Sequence, residues 1–281
     1  MSFNADKECA RVIQWARSYL RDLDDGKPLV IGISGGKDST ITAAALCEAV
    51  GPHKMLGVLM PNKEQKNIDI ARAVCGHLGI QNIEVDINNM YQGMLDAIRR
   101  SHITFCGEFN SVVTSNAPCR CRMVTLYTIA NDLHGRVVNT CNMSESYVGY
   151  DTKWGDQCGD FGLFQDYTAT EVKQMGYSLG VNSLYIEQTP DDGMCGQSDE
   201  ERWGFSYEYL DAWLRSTRGH ENETDRAIIQ MHQFAQHKLL AINLPHPEYL
   251  PEGHRLIEFW RVNPDTKMYE PCNINGEPFR F

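Results

Sequence analysis

Basic residues are in short supply, with 26 Lys+Arg against 37 Asp+Glu and a formal charge of −11. No basic stripe offsets that balance, so a nucleic-acid surface is not the main business of the chain. Long apolar runs are missing as well. None approaches the roughly 20 residues of a membrane-spanning helix. Asp6, Lys7 and Glu8 stand where a secretory leader would be apolar, which implies a cytoplasmic protein with no membrane partner. The 10 cysteines, at 9, 47, 75, 106, 119, 121, 141, 158, 195 and 272, contain no CxxC pair. Cys119 and Cys121 are too close for ordinary zinc spacing, so the cysteines read as thiols buried in a reducing compartment. Internal repeats and low-complexity tracts are also absent. What is present, 281 residues at 42% hydrophobic and 22% charged, is the make-up of a globular enzyme.

The chain is organised around Leu29–Thr40, LVIGISGGKDST. Leu29, Val30, Ile31 and Ile33 form the apolar run of a strand buried on both faces. The turn Ser34-Gly35-Gly36-Lys37-Asp38-Ser39 follows, and then a helix over Thr40–Val50 closed by Gly51-Pro52. Strand, glycine turn and helix together aim unpaired N–H groups and a helix dipole at an anion. The glycines let backbone approach phosphate; Ser34, Ser39 and Thr40 add hydroxyls, and Lys37 adds charge. Asp38, a carboxylate beside phosphates, makes sense as a magnesium ligand. The spacing differs from the GxxxxGK[ST] loop.

Around this turn, helical periodicity covers 4–23, and Met55–Met60 and Asn82–Ile87 read as strands flanking a helix over Asn67–Leu78 with Gly79 as its cap. This alternation predicts a doubly wound parallel sheet of the α/β, Rossmann-like kind, with helices on both faces and ligands beyond the carboxyl ends of its strands. Asn88–Arg100 reads as a helix, 101–115 as a loop, and a further helix starts near Pro118 with Arg120 and Arg122 in its first turn. Arg136–Thr140 is a fourth strand. The polar, glycine-punctuated stretch after it predicts a mobile lid over an active site. Later helices fall at Val172–Leu179, Tyr207–Arg215 and Thr224–Leu239, and the tail from Pro245 is expected to wrap the surface.

SGGKDS (34–39) resembles the pyrophosphate loop of the N-type ATP pyrophosphatases. Three further segments sharpen the resemblance: N-x-x-x-R-x-R-M-x-x-L-Y (116–127), T-x-N-x-S-E with V-G-Y-x-T-K-W-G-D (140–156), and GQSDEERWGFSYEYLD (196–211). In this order they are similar to the ammonia-dependent NAD+ synthetases, over about residues 5–240. The resemblance implies one synthetase domain over 1–281, with 241–281 as an extension and no glutaminase domain. It implies ATP-driven amidation of deamido-NAD by ammonia through an acyl-adenylate, and a homodimer for which the helices at 4–23 and 118–134 are the available faces.

By motif position, Ser34, Gly35, Gly36, Lys37, Asp38, Ser39, Thr40 and Thr140 would bind ATP, and Asp38 and Glu145 would bind Mg2+. Arg120, Lys153, Asp160, His237 and Lys238 would contact deamido-NAD. Asp38, Lys153 and Asp156 would be the catalytic groups, Asp156 guiding or deprotonating ammonium. The chain departs from the family pattern at Ala169, where a lysine reaches ATP phosphate in many members, and at Asp191, where Thr or Ser is usual. Gln157-Cys158 replaces a glycine pair, which should stiffen the loop. Two other readings stay open: an N-type pyrophosphatase with another acceptor, and an inactive nucleotide sensor. A separate glutaminase subunit as ammonia source also stays open.

Overall fold

The computed structural model describes residues 3–23, 26–63, 65, 67–101, 109–187, 199–216, 222–239, 259–262 and 269–272. The chain divides into two compact units, Met1–Leu239 and Leu240–Phe281.

In the first unit, β1 (Leu29–Gly32), β2 (Met55–Leu59), β3 (Gln81–Glu84), β4 (Arg136–Asn139) and β5 (Phe161–Gly162) form one parallel sheet in the order β3-β2-β1-β4-β5. Alternate residues of β1 serve opposite faces, as the period of two requires. Leu29 and Ile31 join Leu46, Phe164, Val172 and Met175, while Val30 joins Val58, Tyr91, Leu95 and Ala130. Burying each such large aliphatic side chain contributes about 1.5–3 kcal/mol. Both faces are therefore covered, and the predicted doubly wound α/β class is the observed one.

Helices α1 (Ala5–Leu23), α2 (Lys37–Val50), α3 (Ile68–Leu78) and α7 (Ala169–Ser178) pack around the first core, and α4 (Asn88–Arg100) and α5 (Ser111–Asp132) around the second. A satellite cluster of Val148, Phe205, Leu210 and Ile228 ties α6 (Met143–Val148) to α10 (Tyr207–Leu214) and α11 (Glu223–Leu239). The short helices α8 (Ser183–Ile186) and α9 (Asp199–Trp203) complete the unit. The second unit contains an antiparallel pair, β6 (Phe259–Val262) with β7 (Tyr269–Cys272). No described helix is long and apolar enough to cross a membrane.

Several boundaries differ from the sequence expectation, each for a local reason. α2 starts at Lys37 rather than Thr40, so Lys37, Asp38 and Ser39 sit in its first turn. α5 starts at Ser111, seven residues before Pro118, because the Asn110 side chain caps it by accepting the Val113 N–H at 3.1 Å. Pro118 is thus interior, and burial of Ala117, Pro118, Cys119 and Cys121 overrides its helix penalty of about 3 kcal/mol. Arg120 and Arg122 consequently lie well inside the helix and do not oppose its dipole. α7 starts at Ala169 rather than Val172, set by a capping box in which Thr168 and Glu171 bond each other's backbone. The stretch after β4 is not one open lid: it contains α6 and β5.

Candidate active site at the switch point of the sheet

The strand order reverses between β1 and β4, whose following segments leave in opposite directions and open a crevice at the carboxyl edge. The SGGKDS turn enters it from β1 and Asn142–Glu145 enters from β4. Gly35 has φ +87, and a Cβ there would stand 3.0 Å from Asn67 O and 3.1 Å from Ala71 N, so only glycine holds this backbone. Ser34 Oγ accepts the Gly36 N–H at 3.1 Å and lies 3.2 Å from Ser39 Oγ. Gln65 ties down the Ser34 carbonyl at 3.1 Å. Ser39 and Thr40 are both buried, and both hydroxyls donate to Gly36 O, at 3.2 and 2.8 Å, at the start of α2.

The first turn of α2 carries an ion pair. Lys37 Nζ lies 2.6 Å from Asp38 Oδ2, and the lysine is only 9% exposed. Its ammonium sits 5.5 Å from the centroid of the Tyr207 ring, a cation–π contact. The Tyr207 hydroxyl donates to Asp199 Oδ2 at 2.9 Å. Burial works against the Lys37 charge, but Asp38, Glu145 and Asp199 outweigh it and lift the ammonium above the ordinary lysine range. Across the crevice, burial and then the Asp38 charge push the Glu145 carboxyl up to about 8, with Lys37 pulling it back. The Tyr207 phenol is driven far above its usual range by burial and by Glu145 and Asp199. Asn142 joins the two sides, donating to Asp38 Oδ1 at 3.3 Å and accepting the Glu145 N–H at 3.1 Å.

The carboxylates of Asp38 and Glu145, which influence one another beside the SGGKDS turn, fit a magnesium ion. The donors are hard oxygens, and the Glu145 carboxylate makes no hydrogen bond among the described residues. Its raised affinity for a proton comes first from burial and then from the neighbouring Asp38 charge. No group of three or more His, Cys, Asp or Glu side chains arranged to hold a metal occurs among the described residues. Magnesium, usually held by one or two carboxylates plus water and substrate phosphates, does not need one.

The loop after α6 is fastened on both sides. Buried Asn139, at the end of β4, donates its amide toward the carbonyls of Asp156, Gln157 and Cys158, at 3.3, 2.8 and 3.3 Å. Asp156 Oδ1 accepts the Thr152 N–H at 2.6 Å, and the charge of Asp156 reaches Glu145. Gln157 Nε2 donates to Lys238 O at 3.1 Å, Lys153 Nζ donates to His237 O, and Lys238 Nζ donates to Gly149 O and Asp151 O at 2.6 and 2.5 Å. Arg120 Nε reaches Lys153 O at 3.3 Å. Arg120, Lys153, His237 and Lys238 therefore gather at the end of α11, where Lys153 and Gln157 satisfy the carbonyls of His237 and Lys238. Asp160 does not join them. It accepts the Val137 N–H at 2.8 Å, beside the start of β4. Thr140 is half-buried where β4 ends.

Position 169 is closed. Ala169 is buried, its N–H donates to Ser144 Oγ at 2.9 Å, and the next N–H, of Thr170, goes to Asp211 Oδ2 at 2.7 Å. Asp191 lies outside the described residues. Sequence reasoning left Asn142, Asp199 and Tyr207 without roles, although the first sits in T-x-N-x-S-E and the others in GQSDEERWGFSYEYLD. Their signal was membership of those segments. Their contacts with Asp38 and Lys37 had none.

A family model described as NAD synthase matches residues 8–244. The NH(3)-dependent NAD(+) synthetase of Carboxydothermus hydrogenoformans is 31% identical over 242 residues, covering 85% of this chain and 96% of that protein. The enzyme of the same name from Methanocaldococcus jannaschii is 38% identical over 190 residues, covering 66% of this chain and 72% of that protein. Among solved structures, NMN synthetase from Francisella tularensis superposes with a TM-score of 0.77 at 24% identity, covering 87% of this chain and 99% of that one. NAD+ synthetase from Burkholderia pseudomallei gives 0.70 at 24% identity, covering 85% and 91%. These two likenesses are of fold.

Proposed function

The chain belongs to the NAD synthase family, and on that premise we propose that it is an ammonia-dependent ligase that amidates deamido-NAD at the expense of ATP. A nicotinate carboxylate oxygen attacks the α-phosphorus of ATP, the bond to the β-phosphate breaks, and pyrophosphate leaves. Ammonia then attacks the acyl carbon of the adenylate, AMP leaves, and the nitrogen loses its extra proton to give NAD+. Asp38 and Glu145 carry this assignment, since the charge of Asp38 acts on Glu145 and Asn142 links the two segments. They would hold Mg2+, which when bound supplies positive charge to the phosphates.

Ser34, Gly35, Gly36, Lys37 and Ser39, with the first N–H groups of α2, would cradle the pyrophosphate. Thr140 would contact ATP. Asp156, near enough to Glu145 to influence it, would take the proton from ammonium. Arg120, Lys153, His237 and Lys238 would orient deamido-NAD, with Lys153 exchanging its carbonyl partner for the substrate. The loop they fasten would keep water from the adenylate. Asp160 would contact deamido-NAD only from the outer side of β4.

We also place the protein in the cytoplasm, as a homodimer. The dimer face on this reading is α4 with the adjoining α5. Met90, Met94 and Ile98 recur every four residues on α4 at 38%, 37% and 40% exposure, and Val112 and Val124 are exposed on α5. α1 is not available, because Cys9, Val12, Ala16 and Leu20 bury its apolar face in the core.

The test is formation of AMP and NAD+ from ATP, Mg2+ and deamido-NAD, with ammonium and glutamine supplied separately. Nicotinate mononucleotide serves as a second acceptor, since the Francisella tularensis protein is named for NMN. Equal AMP and NAD+ with ammonium alone, abolished in Asp38→Asn and Glu145→Gln, is the expected result. ATP binding without acceptor-dependent AMP would instead indicate a nucleotide sensor or another acceptor.

A further inference from the structure

Lys37 and Asp38 are neighbours on one helix, so their side chains leave the axis about 100° apart and do not ordinarily meet. Here the lysine curls back to bring Nζ within 2.6 Å of Asp38 Oδ2. The ammonium is enclosed: it lies over the Tyr207 ring, and Tyr207 is itself pinned to Asp199. It is also the cation that acts on Glu145. One oxygen of Asp38, Oδ2, is therefore already in contact with a tethered positive charge. Asp38 Oδ1, the other oxygen, receives Asn142.

We propose that Lys37 is the resident counter-cation of the Asp38–Glu145 pair, and that it makes capture of the divalent ion conditional on nucleotide. In the free enzyme it holds Asp38. When ATP and the ion arrive together, its ammonium passes to a phosphate oxygen and leaves Asp38 to the metal. This rests on Asp38 and Glu145 being the metal ligands. The exchange suits a lysine, a compact charge on a flexible four-carbon stem that follows the anion without rebuilding the turn. Before nucleotide binds, a metal would have to displace Lys37 from Asp38 and leave its buried ammonium against the Tyr207 ring without its carboxylate contact, which is costly. With the polyphosphate present, the displaced charge would gain an anionic partner at the N-terminal end of α2.

The experiment measures Mn2+ binding to the full chain by electron paramagnetic resonance of the free ion, with and without α,β-methylene-ATP. In the wild type, nucleotide should tighten Mn2+ binding by about tenfold or more. Lys37→Met should bind Mn2+ alone about tenfold tighter than the wild type does, bind the nucleotide alone more weakly, and lose most of the coupling. Lys37→Arg, which keeps the charge, should still exclude the ion. If Lys37→Met does not fold, Lys37→Gln carries the same expectation. Two results would overturn the proposal while sparing the ligand assignment. One is wild-type Mn2+ binding that is equally tight without nucleotide. The other is unchanged Mn2+ affinity in the uncharged variants while Glu145→Gln abolishes binding. Mn2+ binding that Asp38→Asn and Glu145→Gln leave untouched would overturn both.

Discussion

The side-chain amide of Asn142 donates to Asp38 Oδ1 at 3.3 Å, across the point where the sheet reverses its strand order. The oxygen of the same amide caps α6 by accepting the Glu145 N–H at 3.1 Å. One fully buried side chain thereby links the Asp38 carboxylate to the backbone of Glu145. Asn142→Ala should lower stability by about 2–3 kcal/mol, from a lost cap and a lost bond to a carboxylate. It should also reduce turnover at saturating ATP. Thermal unfolding and steady-state AMP release check the two effects. A folded variant with unchanged turnover would show that the carboxylates keep their places without it.

Gly159 separates the fastened loop from β5, and its backbone passes close to Asn139. A Cβ at that position would lie 2.6 Å from Asn139 N and 2.9 Å from its Cα, both backbone atoms that cannot swing aside. Gly159→Ala should therefore cost about 1–3 kcal/mol and loosen the carbonyls held by Asn139. Gly76, in α3, has nothing within 4 Å of such a Cβ, so Gly76→Ala should stabilise by about 0.5–1 kcal/mol. Denaturant midpoints should move in opposite directions.

Asp151 has both carboxylate oxygens buried without a hydrogen bond, 3.8 Å from Lys238 Nζ at its nearest. Burial pushes its carboxyl up to about 6, against the pull of Lys238. The unfolded chain releases that proton near the ordinary value of about 3.9. Between these values the folded state holds the proton more tightly, so stability falls as pH rises from about 4 to about 6. Relative to Asp151→Asn, the wild type should lose up to about 3 kcal/mol across that window. Urea unfolding of both proteins at pH 4.5 and 7, pH values chosen to fall inside and above the window, measures the difference. A constant difference would place the Asp151 carboxyl in its usual range.

Met94 lies at the middle of the exposed apolar stripe of α4. On the proposed α4 dimer face, Met94→Lys should shift sedimentation velocity from dimer to monomer, with little loss of folded-state stability, because the side chain is partly exposed in the isolated chain. Dimers that survive in Met94→Lys and in Ile98→Lys would move the interface off α4.

Much of this molecule is legible in one dimension. The run LVIGI followed by SGGKDS announces a buried parallel strand, a glycine turn and a helix, and the spacing of the next strands announces a sheet covered on both faces. Local signals decide such features, because side-chain alternation, glycine conformation and capping act within a few residues. Local signals also misled. Pro118 looked like the first residue of a helix that in fact starts at Ser111, since its burial among Ala117, Cys119 and Cys121 outweighs the missing N–H. β5 has two residues, too few for any periodicity, and exists because β4 offers it an edge.

The sequence by itself determined which chemical groups the site contains: two glycines, the hydroxyls of Ser34 and Ser39, one lysine and two carboxylates on segments that follow β1 and β4. Only the tertiary structure decided how they are arranged. Lys37 lies against Asp38 rather than in solvent, Asn142 links Asp38 to the Glu145 backbone, and Tyr207, 170 residues further along the chain, closes over the ammonium. Ion pairing and desolvation depend on distances of a few ångströms between groups remote in sequence, and only the folded packing sets those distances.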